Sequence, residues 1–535
     1  MHPDIDAIAG ALDEAQLLVE RRGVFTTAIT GITDDSRAVR PGFLFVAVRG
    51  TERDGHDFLA AAATAGAAGA VVEDATRTVM PALVVRDGRR AAAISAAAAY
   101  GWPARGGSLQ LVGVTGTNGK TTTVNMLRHL LDDAAGRAAS LGTLGVLIGT
   151  EGTPLEGGGG LTTPGPVEMQ RLFRALRNAG VRRVAMEVSS HSLDQRRVEG
   201  VLFDVVLFTN FTRDHLDYHG SMEKYFASKA LLLDHLAPHG TVVYNVDDKA
   251  WTALETEHRR VGFSERVASA EVQAEDVRYG ARGSEWTLRL NEERAAVTLP
   301  LIGDFNVINA LGAAAAAYAL GVPVERIAER LSSMPQVPGR LEVLRDAPTV
   351  LRDYAHTPDA LARAVDAVRP FTPERLILVF GCGGDRDRGK RPEMGAIAAE
   401  KADIAIVTSD NPRTEDANAI IDDIEKGMTT GTHERIEDRR AAIARALELA
   451  TPRDVILLAG KGHETYQIRG TTKTPFDEKV IVDELGGAMG GAMGGAMGGA
   501  MGGAMGGAMG GAMGTGEQRD RGADAAAATS AEVRR

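Results

Sequence analysis

The sequence predicts an α/β protein of three domains followed by a disordered C-terminal tail. Apolar, β-branched runs alternate with helix-like segments along most of the chain, the pattern of parallel sheets covered by helices. Two Gly/Pro clusters, Gly101-Trp-Pro-Ala-Arg-Gly-Gly107 and Pro335-Gln-Val-Pro-Gly339, interrupt that alternation. At 535 residues the chain is also longer than one hydrophobic core organises.

Residues 1–107 read as a small N-terminal α/β domain. Phe43–Val48 and Ala70–Val72 read as buried strands, and His56–Ala68 and Ala91–Ala99 as Ala-rich helices. Residues 108–338 read as the central domain, with strands at Leu111–Val114, Val184–Val188 and Val205–Thr209 and a helical run at Met222–Leu233. Residues 339–485 repeat the pattern as a Rossmann-like domain, with strands at Arg375–Phe380, Ile404–Thr408 and Val455–Leu458. Each of these three strands runs into a polar loop: Gly381–Asp387, Ser409–Arg413 or Gly460–Glu464. In doubly wound sheets ligands bind beyond the carboxyl ends of strands, so the three loops read as one site. Residues 486–535 begin with seven Gly-Gly-Ala-Met units, which have little to bury and read as disordered.

Composition narrows the function. The formal charge of −11 argues against nucleic acid as a general partner. The single cysteine, Cys382, excludes an internal disulfide and fits a reducing cytoplasm. No apolar stretch has the length of a membrane span, and the N-terminus lacks a signal core. A cytoplasmic, monomeric enzyme acting on small molecules is the expectation. Cys382 itself reads as a small loop residue open to thiol reagents.

The densest chemical signal is Leu111-Val-Gly-Val-Thr-Gly-Thr-Asn-Gly-Lys-Thr-Thr-Thr123. A strand enters a Gly-rich turn that ends in Lys-Thr at the start of a helix. Small residues let backbone N–H groups face a phosphate, and the helix N-terminus adds positive potential. Gly116, Thr117, Asn118, Gly119, Lys120, Thr121 and Thr122 are the candidate phosphate cradle. Lys120 would reach the β/γ-phosphates and Thr121 would offer its hydroxyl to Mg²⁺. The loop is a variant, because Val114 stands where the general phosphate-loop pattern has its first glycine.

Further motifs follow in order: Leu161-Thr-Thr-Pro164, Glu187–Arg197, Asn210–Gly220, Tyr225-Phe-Ala-Ser-Lys229, Gly303–Asn309, Pro338-Gly-Arg340 and Asp353–Pro358. Together with the Thr115–Thr122 loop, this series resembles the Mur ligase family over about residues 30–470. The closest likeness is to the branch that adds the third residue of the peptidoglycan stem peptide. The resemblance implies an ADP-forming acid–amino-acid ligase that uses ATP and Mg²⁺. Its acyl substrate would be UDP-N-acetylmuramoyl-L-alanyl-D-glutamate, activated as an acyl phosphate. It implies catalytic roles for Lys120, Glu187, His215 and Lys229, with Lys229 carbamylated, and places Thr121, Glu187, His215 and the Lys229 carbamate at Mg²⁺. Asn306, Asn309, Arg340 and Asp353 would complete the ATP site, and Ser36, Thr162, Thr163, Ser189, Gln195 and Arg197 would hold the UDP-muramoyl-dipeptide. Read without the family, His215 is a hydrogen-bonded loop histidine, Lys229 a solvated helix lysine, and Asn306 and Asn309 are helix caps.

The amino acid added is read from Asp410-Asn-Pro-Arg413, whose version in this branch resembles the one selecting meso-2,6-diaminopimelate over L-lysine. Diaminopimelate carries a distal carboxylate that a planar guanidinium grips bidentately, whereas lysine offers none. Arg386, Asp410, Asn411, Pro412, Arg413, Gly460 and Glu464 form the candidate diaminopimelate site. The alternatives are ligation of L-lysine, a folylpolyglutamate synthase-like ligase, and a P-loop protein without ligase activity.

Overall fold

The computed structural model describes residues 3–50, 53–104, 107–134 and 136–486. The Gly-Gly-Ala-Met repeat beyond Gly486 and the terminal run, read above as disordered, lie outside the described residues.

Three sheets carry the fold up to Asp483. The N-terminal sheet has five strands in the order Leu18–Arg22, Ala82–Val85, Gly69–Val72, Phe43–Val46 and Gly31–Thr33. All pair in parallel except the edge strand Leu18–Arg22. The segment read as one helix from His56 is instead a 3₁₀ turn, Gly55–Phe58, followed by the short helix Leu59–Thr64. Asp54 caps the turn through His56, whose buried ring also accepts a hydrogen bond from the Glu73 amide, and Gly66 at φ +88° ends the helical path.

The central sheet has eleven strands. Its core is parallel, in the order Val272–Gly280, Arg259–Ser264, Leu236–Asn245, Phe203–Phe208, Gln110–Thr115, Val181–Glu187 and Arg137–Gly142. Antiparallel strands extend it at both ends, which the sequence reading did not resolve. Gln110–Thr115 lies in the middle, with Val112 paired to Ala185 on one side and Val205 on the other. Alternation along this strand serves two cores. Val112 and Val114 pack under the helices Lys120–Leu131 and Asp304–Ala319, while Leu111 packs on the opposite face with Pro166–Asn178. A Cβ at Gly113 would stand 3.0 Å from the Phe203 ring.

The third sheet has six strands, ordered Glu342–Asp346, Thr349–Asp353, Val455–Ala459, Leu376–Phe380, Ile404–Val407 and His433–Arg435. It is parallel apart from its first pair. The hairpin Tyr466–Arg469 and Thr472–Pro475 packs beside it, with the Arg413 amide donating to the Ile468 carbonyl. Strand ends of the second and third sheets deliver the loops described next.

Candidate functional site

A cleft of about 850 Å³ opens beyond the carboxyl ends of the central strands and is closed on its far side by the third sheet. The Gly-rich loop forms its floor. Gly116 adopts φ +148°, and a Cβ there would stand 1.9 Å from Thr209 Oγ1; at Gly119, φ is +86° and a Cβ would stand 2.3 Å from Asn309 Oδ1. Glycine is therefore demanded twice, by backbone conformation and by space. The segment after Phe203–Phe208 clamps the loop: the Thr117 amide donates to the Asn210 carbonyl (2.8 Å) and the Asn118 amide to Asn210 Oδ1 (2.9 Å). Lys120 Nζ donates to the carbonyls of Gly116 (2.9 Å) and Thr117 (2.8 Å), the pose of a lysine curled under its own loop. Burial lowers its pKa, with the Glu187 and Asp214 carboxylates opposing.

Glu187 ends the neighbouring strand. Its carboxylate accepts from Thr121 Oγ1 (3.1 Å), the Thr143 amide (2.8 Å) and Thr143 Oγ1 (3.2 Å), and burial raises its pKa. Arg340, from the start of the third unit, donates to the same Thr121 hydroxyl at 3.0 Å. Hydroxyl and carboxylate oxygens in contact suit Mg²⁺, which favours oxygen donors and keeps several waters. Among the described residues no three His, Cys, Asp or Glu side chains form a closed metal cage, so an ion here would complete its shell with water and phosphate. His215 sits at φ +52° with Nε2 3.3 Å from Asp214 Oδ2, its ring edge-on to His191 at 4.7 Å. Burial lowers its pKa to about 4, so the ring is neutral at pH 7.

Lys229 is not a solvated helix residue. It is 1% exposed, its Nζ donates to the Gly116 carbonyl at 2.7 Å, and it lies 4.5 Å over the Tyr225 ring. Burial, with Lys120 adding to it, drives its pKa well below the ordinary lysine value. A neutral amine is what carbamate formation requires. The depression also costs stability. The unfolded chain holds this proton up to the ordinary lysine pKa and the folded chain does not, so the cost at neutral pH fades as pH rises toward that value. Lys229→Met is therefore expected to raise Tm by about 2 °C at pH 7, less at pH 10, while ligation is lost. Thermal melts at both pH values check this, and a lower Tm at pH 7 would refute it.

Asn306 and Asn309 lie inside Asp304–Ala319 rather than capping it. Asn306 is buried, donates to the Ile302 carbonyl (2.8 Å) and accepts from Asn309 Nδ2 (3.2 Å), so it holds Asn309, which alone of the two lines the cleft. Asp353 ends its strand in the cleft wall, accepts from the Leu341 amide at 2.8 Å, and has its pKa raised by burial. Residues the sequence reading did not name as site residues line the same space: Asn245, Arg266, Phe305, Ile308, Tyr354 and His356. Asn245 ends the Leu236–Asn245 strand, so the strand-end rule would have found it.

Thr162, Thr163, Ser189 and Arg197 line the cleft beside Glu187. Thr163 Oγ1 donates to the Glu187 carbonyl (2.9 Å), and Ser189 caps the short helix Ser190–Asp194. Arg197 donates to the Thr163 carbonyl and to Gln195 Oε1, both at 3.0 Å; Gln195 does not line the cleft but orients the guanidinium. Ser36 stands outside the cleft, on the Ser36–Ala38 turn. Its neighbour Asp34 reaches to within 3.7 Å of where a Gly165 Cβ would be, so this turn adjoins the Thr162–Gly165 loop.

Of the candidate diaminopimelate residues, Arg386 lines the cleft and the other six do not. Those six gather beside it. Arg413, at φ +52°, donates from Nη1 to the Gly384 carbonyl (2.7 Å), and the Gly384 amide donates to the Asn411 carbonyl (2.9 Å). Asn411 Nδ2 donates to Glu464 Oε2 at 2.8 Å. Gly460, at φ +112°, leaves room for Asp410, whose Oδ2 would stand 3.2 Å from a Cβ there, and a Cβ at Gly384 would stand 1.9 Å from the Pro412 carbonyl oxygen. The reading of Cys382 is corrected. It is 2% exposed, its Sγ donates to Met394 Sδ at 3.6 Å, and burial pushes its pKa up to about 12, so it is closed to thiol reagents.

A phosphate loop on a parallel sheet, facing an acid–hydroxyl pair and an arginine delivered by a second sheet, defines a multidomain P-loop protein built to bring anions together. Comparison with known proteins makes the class specific. The Mur ligase middle domain matches residues 114–317, the Mur ligase glutamate ligase domain residues 339–462, and the Mur ligase family catalytic domain residues 28–102. The UDP-N-acetylmuramoyl-L-alanyl-D-glutamate–2,6-diaminopimelate ligase of Gloeobacter violaceus is 45% identical over 84% of this chain and 92% of its own length. The ligase of the same name from Synechococcus elongatus is 44% identical over 87% and 95%. A solved structure of a ligase of that name is 32% identical with a TM-score of 0.61, covering 86% of this chain and 96% of its own. The folylpolyglutamate synthase of Mycobacterium tuberculosis, at 21% identity, TM-score 0.58 and 70% of this chain, shares the fold alone. The chain belongs to the Mur ligase family, and it is an ATP-dependent acid–amino-acid ligase.

Proposed function

We propose that this ligase joins the amine of meso-2,6-diaminopimelate to the D-glutamate γ-carboxylate of UDP-N-acetylmuramoyl-L-alanyl-D-glutamate, in peptidoglycan precursor synthesis in the cytoplasm. The observation that supports the amino-acid assignment is that both charge signs occur on the same set of loops: Arg413 and Arg386 flank Gly383, and the carboxylates of Asp410 and Glu464 stand at the ends of the neighbouring strands. A substrate with a carboxylate and an ammonium at its distal carbon matches that set, whereas lysine would leave the guanidinium without a partner.

In this reading the γ-phosphate of ATP passes to the substrate carboxylate, and the amine then displaces phosphate from the acyl phosphate. Two anions must approach each other, so cations are needed between them. Lys120 and Arg340 flank Thr121 and Glu187 where that charge would gather. Thr121 and Glu187 would hold Mg²⁺, with His215 as a further candidate ligand, and the ion would supply further neutralisation of the anionic groups. Thr163, Ser189 and Arg197 would hold the dipeptide end of the sugar nucleotide, with Gln195 orienting Arg197 and the Ser36 turn reaching its uridine end. Asn118 Nδ2 donates to Asp359 Oδ2 at 3.1 Å and Arg340 donates to Thr121 Oγ1, so the C-terminal domain supplies one wall of the ATP site. Domain limits near residues 107 and 338, and action as a monomer, belong to the same proposal.

The test is phosphate release from ATP with UDP-muramoyl-dipeptide, comparing meso-diaminopimelate with L-lysine. Turnover with diaminopimelate alone is expected. Turnover with lysine would keep the ligase and discard the specificity argument, and turnover with neither would overturn the reading.

A further inference from the structure

Lys461 appears in none of the roles assigned above, yet it is fully buried at the centre of the candidate amino-acid site. Its Nζ donates to the Tyr466 carbonyl (2.8 Å) and to Asn411 Oδ1 (3.1 Å), and stands 3.3 Å from Asp410 Oδ1 and 3.6 Å from Glu464 Oε2. The Phe476 ring lies 5.7 Å away, on the apolar side of the ammonium. A buried ammonium is tolerated only when its donors and its charge are both answered, and here two carbonyl-type oxygens and two carboxylates do so.

The geometry has a consequence for Asn411. Lysine carries donors only, and the Ile468 amide, another donor, lies 3.0 Å from the same Asn411 oxygen. Two donors on one side fix the amide with Oδ1 inward, so its NH₂ is turned toward Glu464 Oε2 at 2.8 Å. Lys461 thereby sets the direction in which Asn411 restrains Glu464. It also changes the charge of the cluster. Asp410 and Glu464 together carry two negative charges, and Lys461 leaves a net of one. Without it the two carboxylates would share the site with no cation between them, and Glu464 would hold its proton to higher pH. Burial and the Asp410 charge already raise the Glu464 pKa.

We propose that Lys461 is a positioning and specificity-determining residue: seated between Asp410 and Glu464 and on Asn411 Oδ1, it orients both carboxylates and offsets one of their formal charges, so that the site presents a single surplus negative charge to the ammonium of the incoming amino acid. This rests on the amino-acid assignment made under Proposed function. Lys461 touches no reacting atom and acts through Asn411, Asp410 and Glu464.

The experiment compares wild type with Lys461→Met and Lys461→Gln, the second retaining a donor without the charge. The readouts are ATP affinity and KM for diaminopimelate from pH 6 to 9. Both variants are expected to keep ATP affinity within about threefold and to raise KM for diaminopimelate about 100-fold at pH 7. The ratio of variant to wild-type KM should fall as pH rises, because Glu464 regains its charge. If Lys461→Met does not fold, Lys461→Gln, which preserves the hydrogen bond, decides the matter. A KM unchanged in a folded variant, a pH-independent ratio, or equal losses of ATP and diaminopimelate affinity would overturn the proposal. Wild-type turnover tests the underlying substrate assignment separately, since only the variant-to-wild-type ratio bears on Lys461.

Discussion

Lys120→Met is expected to lower ligation kcat by about 10³-fold while leaving the protein folded. Lys120 Nζ satisfies two loop carbonyls, Gly116 and Thr117, and the Gly116 oxygen also accepts from Lys229 Nζ at 2.7 Å. The fold therefore loses one carbonyl partner in a segment already held by Asn210, a cost of about 1 kcal/mol. Removing a half-buried cation whose pKa desolvation already lowers offsets part of that loss. Catalysis has no such compensation. Phosphate passing between two anions develops charge in a dry cleft, where a missing cation costs far more than in water. Glu187, no longer facing Lys120, would hold its proton to still higher pH, weakening the acid–hydroxyl pair with Thr121. Phosphate release and a thermal melt on the same preparation check this. A kcat within tenfold of wild type would remove Lys120 from the phosphate role.

Arg413→Ala should raise KM for diaminopimelate about 100-fold or more, with KM for ATP unchanged and L-lysine used no worse than before. The argument is geometric as well as electrostatic. A guanidinium grips a carboxylate with two parallel donors, and alanine leaves that carboxylate unpaired. Arg413 also donates to the Gly384 carbonyl at 2.7 Å and so helps to hold the loop that carries Arg386. Arg413→Lys separates the two effects: it keeps a positive charge but not the fork, and is expected to fall between wild type and Arg413→Ala. Steady-state kinetics with both amino acids is the measurement. Equal losses toward ATP and diaminopimelate would mean that the loop had collapsed, and would sink the recognition role.

Particular residues show how far the sequence could be read. The phosphate loop was legible because its requirements are local. Gly116 and Gly119 stand where φ is positive and where a Cβ would strike Thr209 or Asn309, and the strand–turn–helix around them is written in adjacent residues. The strands named from the sequence, such as Leu111–Val114 and Arg375–Phe380, were legible to within a few residues for the same reason, while parallel strands such as Leu236–Asn245 and Arg259–Ser264 were not read. The antiparallel extensions of the central sheet were not, because an edge strand is defined by its partner and not by its own pattern. Asn306 and Asn309 carried the right residue type in the right helix. Only packing shows that Asn309 faces the cleft while Asn306 is buried behind it. Arg386 and Arg413 were both legible as cations near strand ends, and only the folded loops show that Arg386 lines the cleft and Arg413 does not.

The sequence by itself determined the α/β class, the phosphate loop, the order of the family motifs, and the residue types available at each strand end. Those depend on short-range sterics and on periodicity, which neighbouring residues settle among themselves. Tertiary structure alone decided the states of those residues: a neutral ring at His215, an amine at Lys229 whose pKa burial drives well below the ordinary lysine value, a closed thiol at Cys382, and a buried Lys461 between two carboxylates. Each follows from desolvation and from charges brought in by distant segments, and neither exists until the chain has folded.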